Sequence, residues 1–218
     1  MMIRLLSVWA VVATVCGGLT YAVDKPALTE PEKAAIAQIR KSGGQVMELA
    51  QNDPHLDVAF HLADGKITDE QLVPLKDLPL LSQLNLRGRE ITDAGLVNLK
   101  DLKVLTRLHL EKTKITDAGL VQLKGLENLE YLNLYGTEVT DAGLKHLEGL
   151  KKLRKVYLWQ TKVTDAGVAE LKAAIPEIQI IRGVEPAKPV EEKKEEKKPE
   201  EPKPEEKKAE EKKPEEKK

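Results

Sequence analysis

A Thr-Asp pair returns every 24 residues without insertion: Thr68-Asp69, Thr92-Asp93, Thr116-Asp117, Thr140-Asp141 and Thr164-Asp165. A chain that repeats itself at such an interval stacks one small unit many times instead of folding around one irregular core. The unit reads Leu-x-x-Leu-x-Leu-x-x-Thr-x-Ile/Val-Thr-Asp-Ala-Gly-Leu-x-x-Leu-x-x-Leu and is clearest in residues 129–150. Leu132 and Leu134 alternate with polar neighbours, the period of a strand with one face buried. Leu144, Leu147 and Leu150 recur at every third position, as on one face of a short helix. Thr140 stands at the N-cap of that helix, and Asp141 places negative charge in its first turn. One strand and one short helix cannot bury their apolar sides alone. Stacked copies share a continuous core of Leu columns.

Two further columns qualify the repeat. Thr113, Thr137 and Thr161 fall where the chain leaves each strand, and a short hydroxyl there is expected to satisfy backbone groups of the turn. Arg89 and Gly65 interrupt that column, so the N-terminal turns are expected to be built differently. Gly95, Gly119, Gly143 and Gly167 form the other column, with Gln71 in the first copy. A left-handed position would resist Gln, so this glycine is read as a device for close helix approach.

The repeat resembles the leucine-rich-repeat family, and Ile-Thr-Asp-Ala-Gly-Leu looks most like its helix-containing, cysteine-containing-like subtype, with Thr in place of Cys. The resemblance implies an α/β solenoid, right-handed, with one strand and one short helix per repeat over residues 56–183. It also implies a protein that binds at its concave face and does not catalyse. Extracellular eukaryotic members usually carry disulfide-bonded caps. Cys16 is the only cysteine, which favours a bacterial exported protein.

Open solenoid ends need covering. Residues 23–55 are expected to form an N-terminal cap, with a helix started by the capping box Thr29-Glu-Pro-Glu32 and stopped at Gly43-Gly44. A strand over Val46–Leu49 and a turn at Asn52-Asp53-Pro54 then lead into a strand from Val58 to Leu62. Pro176 falls at the end of the last helix, Ile178 and Ile180 supply a last strand, and the register slips by one between Ala174 and Ile178.

Residues 1–22 hold a basic start, an apolar run from Leu5 to Val15, and small residues ending in Thr20 and Ala22. They read as a cleaved signal peptide. An uncleaved anchor or a lipoprotein modified at Cys16 are the alternatives, although Val15 is wrong for a lipobox. Export to the periplasm or the extracellular space follows. Residues 184–218 carry 12 Lys, 13 Glu and interspersed Pro. Like charges at i,i+4 and the prolines oppose a helix, so this tail is expected to be disordered. It would act as a spacer or through adhesion to a charged envelope. The middle of the chain holds 22 basic and 23 acidic residues. Neither part is a field of one sign, which removes support for nucleic-acid binding. Membrane contact would come only through the N-terminal segment.

Candidate binding residues are those between the strand leucines. Running from the N-terminus, one column reads His61, Asn85, His109, Asn133, Tyr157 and another Ala63, Arg87, Glu111, Tyr135, Trp159. The flanking column is Ala59, Gln83, Arg107, Tyr131, Lys155. All the tyrosines and the tryptophan beyond residue 22 fall here, in the last two full repeats. Tyr131, Tyr135, Tyr157 and Trp159 are expected to form an exposed aromatic cluster beside Arg107, His109, Glu111 and Lys155, with Arg87 further along. Aromatic and Arg side chains are the usual anchors of interfaces. The partner would be a protein, or a glycan stacked on the rings, and the chain a monomer. His61 and His109 lie two repeats apart, roughly 10 Å, too far to share a metal. The Asp row is explained by helix N-termini and not by calcium. No nucleophile motif, phosphate-cradling loop or paired inward carboxylates are present, so neither catalysis nor a cofactor is expected.

Overall fold

The computed structural model describes residues 27–51 and 53–183. The N-terminal apolar segment with Cys16, the turn residue Asn52 and the charged tail lie outside the described residues. The element order is α1 (Glu30–Lys41), β1 (Gln45–Glu48), β2 (Leu56–Ala59), β3 (Leu81–Asn85), α2 (Asp93–Leu96), β4 (Arg107–His109), α3 (Asp117–Leu120), β5 (Tyr131–Asn133), α4 (Asp141–Leu144), β6 (Lys155–Tyr157), α5 (Asp165–Ala174) and β7 (Gln179–Ile181). The seven strands of the described residues form one sheet in chain order. Only the β1–β2 pair is antiparallel. The rest are parallel neighbours, the signature of a solenoid that adds one strand per turn.

From β3 to β7 the pairing follows the repeat: Gln83, Arg107, Tyr131, Lys155 and Gln179 are successive partners, as are Asn85, His109, Asn133, Tyr157 and Ile181. The slip near Ala174 is therefore local. Ile175 and Ile178 are the buried residues there, and β7 recovers the 24-residue offset. Leu84, Leu108, Leu132 and Val156 form a fully buried column, and so do Leu99, Leu123 and Leu147.

The helical side is tighter than an α-helix. A single α turn passes into a 3-10 turn at Val97–Leu99 and again at Val121–Leu123. The first unit uses 3-10 geometry throughout Asp69–Asp77, with Pro74 inside. Three residues per turn is the period in which the leucines are written. The last described unit carries a longer α-helix, α5.

Each Thr-Asp pair joins two units. The carboxylate of Asp69 accepts the Thr92 N–H at 2.8 Å and the Thr92 hydroxyl at 2.6 Å. Asp93 takes Thr116 in the same way, Asp117 takes Thr140, and Asp141 takes Thr164. The bonds from Thr164 hold the Asp141 carboxyl below its ordinary range. This clamp also accounts for the glycine column. A Cβ on Gly95, Gly119, Gly143 or Gly167 would meet the preceding unit's Asp Oδ1 at 2.2–2.4 Å. The glycine does permit close approach, and what approaches is that carboxylate.

The hydroxyls of Thr113, Thr137 and Thr161 each donate to a carbonyl three residues back, at 2.7 Å. Where Arg89 breaks that column, its guanidinium donates to the carbonyls of His61, Ala63 and Gly65. A row of alternating charge, Lys66, Glu90, Lys114, Glu138 and Lys162, follows the next position. Lys66–Glu90 closes at 2.7 Å and Lys162–Glu138 at 3.1 Å. These pairs are exposed and each adds little.

The N-terminal end is covered as the capping box predicts for α1. Glu32 accepts both the N–H and the hydroxyl of Thr29, and Ala35, Ile36 and Ile39 join the common core. Gly43 takes the left-handed turn that stops the helix (φ +83°). A Cβ on Gly44 would strike Ile39 and Phe60 at 2.7 Å.

The first unit departs from the repeat. Asp57 pairs with Gln83 and Ala59 with Asn85, with an irregularity between Leu56 and Asp57. The Phe60 N–H donates to the Asn85 carbonyl just as Leu86 does to His109, so Phe60 occupies the place of Leu86. The turn that follows, residues 61–66, is two residues longer than its counterpart, residues 87–90, and Arg89 binds its carbonyls. The strand thus spans Leu56–Ala59, and Leu62 is 64% exposed. The sequence-derived columns are displaced by two residues in this unit alone: Asp57, and neither Ala59 nor His61, begins the column that runs through Gln83 and Arg107.

Candidate functional site

The site is built on the outer face of β4, β5 and β6. Side chains alternate across a strand, so Leu108, Leu132 and Val156 point into the core while the residues on either side point away from it. Arg107, Tyr131 and Lys155 lie side by side in one register column, and His109, Asn133 and Tyr157 in the next. The ladder continues past the strands through Lys112 N–H to the Tyr135 carbonyl (2.7 Å) and Gly136 N–H to the Trp159 carbonyl (2.9 Å). That continuation brings Glu111, Tyr135 and Trp159 into a third column.

The aromatic residues meet, but as two stacks. In the first, His109 lies 4.8 Å from Tyr131, and Tyr131 lies 5.5 Å from Tyr157 with the rings tilted by 49°. The Arg107 guanidinium covers Tyr131 at 4.9 Å. In the second, Tyr135 lies 5.4 Å from Trp159, with the Lys112 ammonium 5.7 Å from the Tyr135 ring. Such contacts add modestly to the area they bury. The expectation of one exposed cluster is corrected here. The three tyrosines are half-buried by their neighbours, and only Trp159, at 52%, is openly exposed. The indole also lies against Gly183, where a Cβ would meet it at 2.6 Å. Trp159 is therefore partly a cover for the last described turn.

Glu111 has a different place from the one expected. It is 6% exposed and forms the floor between the stacks. Its Oε1 accepts from Asn133 Nδ2 at 2.7 Å and pairs with His109 Nδ1 at 2.9 Å. Asn133 in turn accepts the Tyr135 N–H and lies 3.3 Å from the Tyr131 hydroxyl. One carboxylate thus sets the orientation of two ring-bearing strands. Burial, with Tyr157 and Glu111 nearby, pushes the Tyr131 phenol above its ordinary pKa. Arg87 is exposed in the strand row before Glu111 and takes no part in either stack.

Four residues were missed by sequence reasoning. Lys112 covers the second stack, and Glu130 and Arg154 border the first. Asp57 faces His109, His61 and Arg107, yet burial pushes its carboxyl above the ordinary range. The signal for Asp57 was present in Leu56-x-Val58-x-Phe60, whose alternation fixes the strand's phase independently of the 24-residue count. Among the described residues, no group of three or more His, Cys, Asp or Glu is placed to hold a metal ion. No helix of the described residues is long and apolar enough to cross a membrane.

The family profile described as Leucine Rich repeat matches residues 102–124. No curated protein matches the chain. Among solved structures, an internalin (inlF) from Listeria monocytogenes is similar at 20% identity with a TM-score of 0.38, over 55% of this chain and 39% of that one. A second internalin (inlC2) from that organism gives 21% and 0.37, over 59% and 70%. The LRR ectodomain of the receptor kinase SOBIR1 from Arabidopsis thaliana gives 15% and 0.47, over 71% and 92%. The chain spans about two-fifths of the inlF structure.

Proposed function

We propose that this leucine-rich-repeat protein is a non-catalytic, extracytoplasmic binding module that holds a protein partner on the outer face of its sheet. Its parts are an export segment, a helical cap, the repeat array and a charged spacer tail. The observation that carries the reading is the placement of the aromatic residues. Tyr131, Tyr135, Tyr157 and Trp159 all lie on the face of the last repeats that turns away from the leucine core. Each stack carries a cation, and Glu111 holds the floor between them. Large aromatic and Arg side chains fixed by their neighbours lose little freedom on binding, which is the economy of an interface hot spot. Through one oxygen Glu111 orients Asn133 and His109, which sets the rings of the face before a partner arrives.

The test compares capture of partners from envelope extract by the full chain and by two double variants. Tyr131→Ala with Tyr157→Ala removes the first stack, and Tyr135→Ala with Trp159→Ala removes the second. Both are expected to keep the circular-dichroism spectrum, and at least one to lose a partner identified by mass spectrometry. Unchanged capture by both would overturn the site.

A further inference from the structure

The first stack opens into a cleft of about 350 Å³ lined by Arg107, Glu130, Tyr131, Arg154, Lys155 and Tyr157. Three of these carry positive charge and one negative. Arg154 is engaged by Glu177, which leaves Arg107 and Lys155 as the pair that brackets Tyr131. We propose that this cleft holds an acidic polypeptide segment in extended, polyproline-like conformation, with two carboxylates three residues apart. The proposal rests on the reading above and narrows it to one stack and one chemistry.

The spacing argues for it. Arg107 and Lys155 sit on the strands either side of Tyr131, in register, so their backbones are roughly 10 Å apart at one strand spacing each. A polyproline helix has three residues per turn and rises about 3.1 Å per residue, placing side chains i and i+3 on one side, roughly 9 Å apart. In a flat strand those two side chains would point to opposite faces. The Arg and Lys rooted on strands at that interval can each take one carboxylate, the Arg with paired hydrogen bonds.

The rings argue in the same direction. A sugar stacks flat on one aromatic face, whereas Tyr131 and Tyr157 tilt 49° to each other. The two rings touch each other, with centroids 5.5 Å apart, so a ligand meets only their outer edges, an uneven surface on which a proline ring packs better than a flat sugar. The strand backbone is already paired, Tyr131 N–H with Thr106 and Lys155 N–H with Glu130. Recognition here falls to side chains and not to an added strand. Glu130 on the rim opposes an acidic ligand.

The experiment is fluorescence anisotropy with the full-length chain and a labelled peptide, Gly-Glu-Pro-Pro-Glu-Pro-Gly. The controls are the same peptide with Gln for Glu and an oligogalacturonate hexamer. Saturable binding of the Glu peptide is expected. It should weaken about tenfold in the Arg107→Gln, Lys155→Gln double variant and fall steeply with salt. Glu130→Gln should tighten it, and circular dichroism should show both variants folded. Equal binding of the Gln peptide, or binding of the hexamer alone, would overturn the proposal, the second in favour of an acidic polysaccharide. If no probe binds while loss of the tyrosines still abolishes partner capture, the proposal falls and the broader function stands.

Discussion

Interior units and terminal units solve one problem with different residues. In the interior, the two donors of each clamp threonine are taken by the Asp of the unit before. Thr68 has no such Asp upstream, since Gln45 stands 24 residues before Asp69. The side-chain carbonyl of Gln71 takes the same two donors instead, at 2.8 and 2.9 Å. At the other end Asp165 has no threonine to receive, and Arg182 pairs with it. The difference shows that Thr, Asp and Gly are one device spread over two units. Glycine is needed only where a carboxylate arrives. In the first unit none does, and the position is free to hold the Gln that replaces it.

The comparison breaks most readily at the glycine. Gly143→Ala would drive a Cβ against the Asp117 carboxylate, and should lower unfolding free energy by about 2–3 kcal/mol in urea titration. Gly149 has nothing within 4 Å of an added Cβ, so Gly149→Ala should leave stability unchanged or raise it by about 0.5 kcal/mol. Equal costs at the two sites would mean that the clamp does not hold the glycine column. The clamp's acceptors come next. Asp117→Ala leaves the Thr140 N–H and hydroxyl without their charged partner and should cost about 2 kcal/mol. Gln71→Ala removes a neutral acceptor in the first unit and should cost about 1 kcal/mol. A larger loss at Gln71 than at Asp117 would reverse the ranking of end and interior.

The period alone made the interior legible, because five registered copies average away local ambiguity. Strand columns, the threonine turn and the helix side were all readable in Leu132, Thr137 and Leu147. What escaped was contact between units. A residue 24 positions away carries no local signature of its hydrogen bonds, so the Asp reads as a charge in its own helix and the Gly as room for a neighbouring helix, with nothing to link the two. The first strand escaped for the opposite reason. There the 24-residue count and the alternation of Leu56, Val58 and Phe60 disagree, because the two extra turn residues move the strand by one full side-chain period. At the site, the positions of Arg107, Tyr131, Tyr157 and Lys155 were legible. Their partial burial was not, because rings stacked across strands cover one another only once the strands are adjacent. Glu111 was missed as a floor because nothing in a single repeat tells a buried carboxylate from an exposed one.

The smallest expected effect tests whether the end of the array is held as tightly as its interior. Gly88, Lys112, Gly136 and Gln160 occupy one left-handed column, with φ of 69°, 54°, 68° and 56°. A non-glycine residue there is strained by about 1 kcal/mol or somewhat more. Replacement by Gly relieves that strain but frees the unfolded chain, which offsets much of the gain. Gln160 is exposed, and Gln160→Gly should therefore raise stability by about 0.5 kcal/mol. Lys112→Gly relieves the same backbone but removes the ammonium from the Tyr135 ring, a contact of about 0.5 kcal/mol at an exposed site, so its net change should be near zero. Parallel thermal melts of the two variants measure the difference. If Lys112→Gly gains as much as Gln160→Gly, the cation contributes nothing to the second stack, and Tyr135 and Trp159 hold together by ring contact alone.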